Sequence, residues 1–319
     1  MKKIIILFAL VISLGAILCT PKKDKQQLLN NKSSYKEYCS DFIFNKRTKT
    51  LNIHLFDNQG LGNRIKKILS YIRYYNPSVV NIYWPNEGWV SASFFDLFSF
   101  DTPIKINEIS INYEKDIKTY EKNCIFQNKL TATVKDYRLL TFDDDFIDVA
   151  PFSIDVKYNI IPKNIIDIYS KYFNKIKPSN SVMERLNELN LPEKLVTVQV
   201  RSAPDWEKTF GKYDYNSFFE VMDKYSSDTY FYLSAMSKEV ANIFYSRYPN
   251  RIIELPNKNY NSMIDATADM FILGSTDNTI CSLYSTFCEV GWWLNGAKSK
   301  VTVVGSDEHW KKKMGYFAN

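Results

Sequence analysis

Histidine is almost missing: His54 and His309 are the two in 319 residues, and they stand near opposite ends. That argues against a histidine-based metal site and against a Ser–His–Asp triad. Acid–base work, if there is any, then falls to carboxylates. Cysteine is scarce too: Cys19, Cys39, Cys124, Cys281 and Cys288. None shares a CxxC spacing, so zinc and thioredoxin-type redox chemistry are not expected. Cys39 and Cys124 could pair in an oxidising compartment; otherwise all five read as plain thiols, Cys281 and Cys288 in buried-type surroundings. There is no basic stripe. The net charge of +6 is spread along the chain, which fits an anionic ligand or membrane surface and not nucleic-acid binding.

The one long apolar run is at the start. Lys2 and Lys3 precede Ile4 to Cys19, and TPKKDKQQ follows. The run has the length of a signal-peptide core and falls short of the ~20 residues of a spanning helix. A cleaved signal, an uncleaved signal-anchor and a lipoprotein signal ending at Cys19 all stay open. Leu18 counts against the last, because a small residue is expected before a lipidated cysteine. Lysines flank both ends, so orientation is open as well. Residues 20–48 are polar and read as a tether.

The rest is globular, with 45% hydrophobic residues and length for two domains. Aromatics make up 15%, with 22 tyrosines, which suits sugar stacking or simply core. LNIHLF at 51–56 is an alternating strand, followed by a turn at Gly60 and Gly62. Ile65, Ile68, Leu69, Ile72 and Tyr75 then recur at helical spacing. A strand from Val79 to Trp84 follows, then a short helix around Phe94 to Phe98 and irregular structure to residue 160. Asp143, Asp144, Asp145 and Asp148 read as a solvated loop, or as a source of a catalytic base or an acceptor-hydroxyl ligand. Residues 161–190 read as helical, broken at Pro178, with Pro192 as a boundary.

Beyond Pro192 the rhythm is regular. Leu195–Val200, Thr229–Ser234, Arg251–Leu255, Asn278–Ser282 and Lys300–Val304 read as strands alternating with helices. That predicts a parallel sheet covered on both faces, with ligands at the carboxyl ends of its strands. Arg201 and Ser285 each follow such a strand and are expected on one rim. Ser285-Thr286-Phe287 opens an apolar helix. It reads as an N-cap or as an anion site at a helix N-terminus.

Four segments, in order, resemble the fucosyltransferase superfamily of GT-B type, nearest to its α-1,2-fucosyltransferase branch. Gln59-Gly60-Leu61-Gly62-Asn63-Arg64 is similar to the family's strand followed by G-G-L-G-N. Gln199-Val200-Arg201-Ser202-Ala203-Pro204-Asp205 stands where the family has H-x-R-R-x-D. Phe231 to Arg251 matches a strand-to-helix unit in layout, with Ser234-Ala235-Met236 where acidic residues are usual. Asp269, Ser285-Thr286-Phe287 and Trp292-Trp293-Leu294-Asn295 look like the Asp-headed helix, S-[ST]-F and W-W-x-x-[WY]-L-N of the fourth. The second motif departs from the family at Gln199 for His, at Ser202 for the second Arg, and at Asp205, one place late.

The resemblance implies an α/β, GT-B-like architecture of two facing Rossmann-like domains with parallel sheets. Its parts would be a signal or anchor at 1–19, a tether at 20–48, an acceptor-side domain at 49–191, a nucleotide-sugar domain at 192–305 and a tail at 306–319. It implies an inverting glycosyltransferase, needing neither metal nor cofactor, that moves fucose or a related sugar from a GDP-sugar to a glycan or glycolipid. Arg201 would hold the diphosphate and the charge developing on leaving GDP. Asp269 would accept from guanine, Gln199 would bond the base or ribose, and Ser285 with Thr286 would bind the β-phosphate. Gly60, Gly62, Asn63 and Arg64 would line the cleft. Asp205, like Glu207, is a base candidate by position. Trp292 and Trp293 read as core packing and Glu289 as structural. The alternative is an exported or membrane-tethered protein that kept the fold, lost the reaction and binds glycans.

Overall fold

The computed structural model describes residues 42–55, 60–88, 90–111, 163–202, 215–282 and 285–304. The apolar N-terminal run, Cys39, Cys124, the aspartate cluster, Asp205, Glu207, His309 and the tail lie outside these residues. Among the described residues, no helix is long and apolar enough to cross a membrane.

The first α/β unit holds β1 (Phe42–Asn45), β2 (Thr50–His54), α1 (Leu61–Tyr75), β3 (Val79–Pro85), α2 (Phe94–Leu97), β4 (Phe98–Phe100) and β5 (Lys105–Ile111). Its sheet runs β1-β2-β3-β5, antiparallel at the β1 edge and parallel elsewhere. α1 forms because Leu61, Ile65, Ile68, Leu69 and Ile72 share one face, and that face is buried on Leu51, Ile53, Val80 and Ile82. It ends where Asn76 takes a left-handed conformation (φ 45°) and its N–H reaches the Ile72 carbonyl. β5 corrects the reading of irregular structure after residue 98. Glu108 interrupts the alternation of KINEISI, yet the segment pairs with β3 along its whole length.

The helical reading of 161–190 resolves into α3 (Lys163–Phe173), β6 (Ile176–Pro178) and α4 (Asn180–Asn187). Pro178 cannot continue a helix, and the Ser179 hydroxyl accepts the Val182 N–H at 3.2 Å to start the next one. β6 pairs antiparallel with β4. α4 precedes Pro192 but packs on the second unit: Arg185 donates to Asp265 at 2.8 Å and to the Pro256 carbonyl at 2.7 Å.

The second unit comprises β7 (Leu195–Val200), α5 (Asn216–Met222), β8 (Tyr230–Ala235), α6 (Lys238–Arg247), β9 (Ile252–Ile253), α7 (Met263–Ile272), β10 (Asn278–Ser282), α8 (Thr286–Leu294) and β11 (Lys300–Val304). The sheet order is β11-β10-β7-β8-β9, all parallel. β7 is central and buried at every residue, Thr197 and Gln199 included. The chain leaves β7 toward β8 on one side and returns at β10 on the other. The β7–β10 junction is therefore the topological switch point.

The two units meet along α1 and α8, so the described residues form two facing α/β units with mostly parallel sheets, as the resemblance implies. Gly62 lies against the Thr286 and Phe287 backbone, and one turn on Lys66 meets Glu289 at 2.8 Å. Both contacts advance in the same direction, so the helices run parallel with their N-termini together. Trp293 is core, stacked on Phe173 with centroids 5.4 Å apart, and Trp292 donates to the Ser299 carbonyl at 2.9 Å. Cys281 and Cys288 are not plain thiols; they form a disulfide between the end of β10 and the first turn of α8.

Candidate active site

The switch point is stitched by one hydroxyl. Ser282 Oγ accepts the Arg201 N–H at 2.7 Å and donates to the Gln199 carbonyl at 3.1 Å. The Ser285 N–H in turn donates to the Ser282 carbonyl at 3.2 Å. Arg201 and Ser285 therefore share the rim, as their positions after β7 and β10 predict. Ser282 itself is not foreseen; its signal is a small hydroxyl residue ending an apolar strand.

Three buried side-chain polar atoms on the elements that form this rim lack a partner. Gln199 is 3% exposed, on the sheet face of its register partner Cys281. Its Oε1 has no hydrogen-bond partner; neither do Ser202 Oγ, just beyond β7, and Asn63 Oδ1 in the first turn of α1. A buried polar atom left this way costs about 1–3 kcal/mol, so such atoms in native proteins ask for a function. Two are amide oxygens, which accept, and one is a hydroxyl, which does both. Together they suit a ligand carrying hydroxyl or N–H donors, such as a sugar or nucleoside.

Two helices start at the same end. α1 starts at Gly60, whose backbone gives no side-chain cap, and α8 starts at Ser285. The unpaired N–H groups and dipoles of two parallel helices add at adjacent N-termini, which favours an anion there. Ser285 does cap α8, accepting the Cys288 N–H at 3.2 Å, and is 1% exposed; its hydroxyl proton is still available to donate. Thr286 is half-buried beside it. A Cβ built on Gly60 meets nothing within 4 Å, whereas Gly62 is closed against α8.

Two expected site residues are held elsewhere. Asp269, in α7, is 2% exposed, and its oxygens accept from Tyr232 at 2.7 Å and Lys258 at 2.7 Å. Lys258 also reaches Glu254, which accepts from Tyr260 at 2.9 Å. Burial works against the Lys258 charge, but Asp269 and Glu254 more than offset it and leave its pKa above the ordinary 10.5. Burial, then Asp269, pushes Tyr232 far above its ordinary value. A guanine would have to share or displace these donors. Arg64 is fully buried, donating to the Pro85 carbonyl at 2.7 Å with its guanidinium 4.8 Å from the Trp84 ring centre. Asp205 lies outside the described residues.

His54 ends β2, buried and stacked on Tyr83 with centroids 4.1 Å apart. Burial, with Lys67 nearby, lowers its pKa from 6.5 to about 4. Between those values the unfolded chain binds the proton more readily, so stability falls as pH falls through that window. The expected cost is about 2 kcal/mol by pH ~5 relative to neutrality. Urea titrations of His54→Asn across this range should show that part of the acid slope removed.

No protein-family model and no curated protein sequence matches the chain. Among solved structures, the chain is similar to POFUT1 in complex with GDP, at 9% identity and a TM-score of 0.47, over 82% of this chain and 100% of that one. It is similar to an Arabidopsis thaliana FUT1 variant in complex with GDP, at 15% identity and 0.46, over 89% and 75%. The fucosyltransferase NodZ from Bradyrhizobium aligns at 15% identity and 0.43, over 73% and 89%.

Proposed function

We propose that the chain is an inverting, metal-independent glycosyltransferase that moves fucose or a related sugar from a GDP-sugar to a glycan or glycolipid. The observation that carries this is the meeting of two helix N-termini, at Gly62 and Thr286, with the Arg201 backbone tied to Ser282 at the switch point of a parallel sheet. Positive dipoles and a guanidinium suit a diphosphate, and the unpartnered Gln199, Ser202 and Asn63 atoms suit the hydroxyls and N–H groups attached to it. The four sequence segments supply the choice of sugar and nucleotide.

In the proposed reaction an acceptor oxygen bonds the anomeric carbon while the bond from that carbon to the β-phosphate oxygen breaks. The electron pair leaves on GDP, where Arg201 and the helix ends stabilise it, and the acceptor proton goes to a carboxylate, with Asp205 the candidate by position. A diphosphate leaves readily, so positioning and electrostatics supply most of the rate. Asp269 would meet guanine only by sharing its carboxylate with Lys258.

The test is GDP-fucose turnover, with Arg201→Ala alongside. Losing a charge-assisted contact of about 2 kcal/mol predicts roughly thirtyfold weaker GDP binding and at least that loss in kcat/KM. Equal activity in both chains would remove Arg201 from the site. Glycan binding without turnover in either chain would favour the fold-retaining binding protein.

A further inference from the structure

The strand-to-helix turn at this rim is closed by a covalent bond. Cys281 is the penultimate residue of β10, Cys288 is the third of α8, and both are fully buried. The segment between them holds Ser282, which ties Arg201 to the rim, Ser285, which caps α8, and the Thr286–Phe287 backbone that Gly62 packs against. The bond thus encloses the hydroxyl that takes the Arg201 N–H and the backbone that meets Gly62. The comparable turn from β8 into α6 has no cysteine and starts its helix on hydrogen bonds, Ser237 Oγ accepting the Val240 N–H at 3.4 Å and its carbonyl the Ala241 N–H at 3.1 Å. A strand-to-helix turn in this sheet therefore forms without a staple, and the staple at 281–288 has another use.

We infer that the Cys281–Cys288 disulfide is a positioning device that holds Ser282 and the Ser285–Phe287 backbone ready for a nucleoside diphosphate. This rests on the donor-site reading above. A closed turn has little freedom left to lose when its N–H groups meet phosphate, whereas an open one must be ordered by the ligand. It follows that full donor affinity belongs to an oxidising compartment, where such a bond persists.

The experiment compares the whole chain with its Cys281→Ala/Cys288→Ala variant. Alkylation and mass analysis should find these two cysteines blocked in the untreated chain and free after reduction. Hydrogen exchange without ligand should be faster at Ser282 and Ser285–Phe287 in the variant, and unchanged in β7 and β11. GDP should bind about tenfold more weakly, with KM for the donor rising and kcat within about twofold. If the variant does not fold, the same readouts are made on the chain reduced with dithiothreitol. There both cysteines gain a proton and the reagent becomes the cyclic disulfide. Free thiols at both positions in the untreated chain, or unchanged exchange at Ser282 and Ser285–Phe287, would overturn the proposal, as would equal GDP affinity. A chain that binds no GDP but shows the exchange difference would sink the donor reading and leave the staple standing.

Discussion

Replacing Lys66 with methionine is expected to cost about 3–5 kcal/mol of stability, because it strands a carboxylate in the core. Lys66 and Glu289 are 2% and 0% exposed, and their 2.8 Å contact joins α1 to α8. Burial raises the Glu289 pKa, with Lys66 and the Trp293 indole N–H, at 3.3 Å, acting against that shift. Once the ammonium is gone, desolvation acts with only the indole opposing it, and the native state holds a proton more firmly than the unfolded chain. The penalty is therefore expected to grow as pH rises above the ordinary glutamate value of 4.5 and to shrink in acid. Pairing the change with Glu289→Leu removes the stranded charge and should recover most of the loss. Urea unfolding of the two single variants and the double measures this cycle. A single change costing under about 1 kcal/mol would mean that the pair is solvated, as surface ion pairs are.

Gly62→Ala is expected to cost ~3 kcal/mol, as overpacking against immovable atoms does. Its Cβ would stand 2.5 Å from the Thr286 oxygen, 2.6 Å from that residue's carbonyl carbon and 2.8 Å from the Phe287 nitrogen. All three are backbone, so no side chain can rotate aside, and the two first turns must part. Parting them also spreads the proposed phosphate site, and GDP affinity should fall by about tenfold or more. Gly60 supplies the control. Its φ of −68° suits any residue and its Cβ direction is open, so Gly60→Ala should leave stability within about 0.5 kcal/mol. Weakened GDP binding in that variant would then report close approach of a ligand to the backbone, free of any folding effect.

Much of the second unit is legible in the sequence because its sheet is covered on both faces. LVTVQV, NTICS and KVTVV stand out as short segments rich in Val, Ile and Thr, and the structure has strands at those residues. The Ser285 cap is legible from its place before an apolar helix. Lys66 with Glu289 is not, since the partners are 223 residues apart and no local spacing encodes the contact. A hint was present: an acid inside CEVGWWL must find a cation once that helix is buried. The disulfide escapes a search for CxxC because its cysteines sit on a strand and a helix, seven residues apart, and the turn folds one onto the other. Arg64 follows a glycine turn and so reads as a cleft residue. Helical phase nevertheless sets it beside Ile65 and Ile68, and it is buried with them. Asp269 keeps its expected place in a helix, but Lys258 arrives from the loop before that helix, a contact that no pattern announces.

The paired helix ends and Arg201 are proposed to form a guanosine-diphosphate site. Its most direct measurement is the melting temperature of the chain with saturating GDP, with UDP and with neither. GDP at about a hundred times its Kd adds about 2.7 kcal/mol, a shift of several degrees, and the gain should be nearly lost in Arg201→Ala. UDP should add little. Equal shifts with both nucleotides would contradict the guanine reading, and no shift with either would contradict the site.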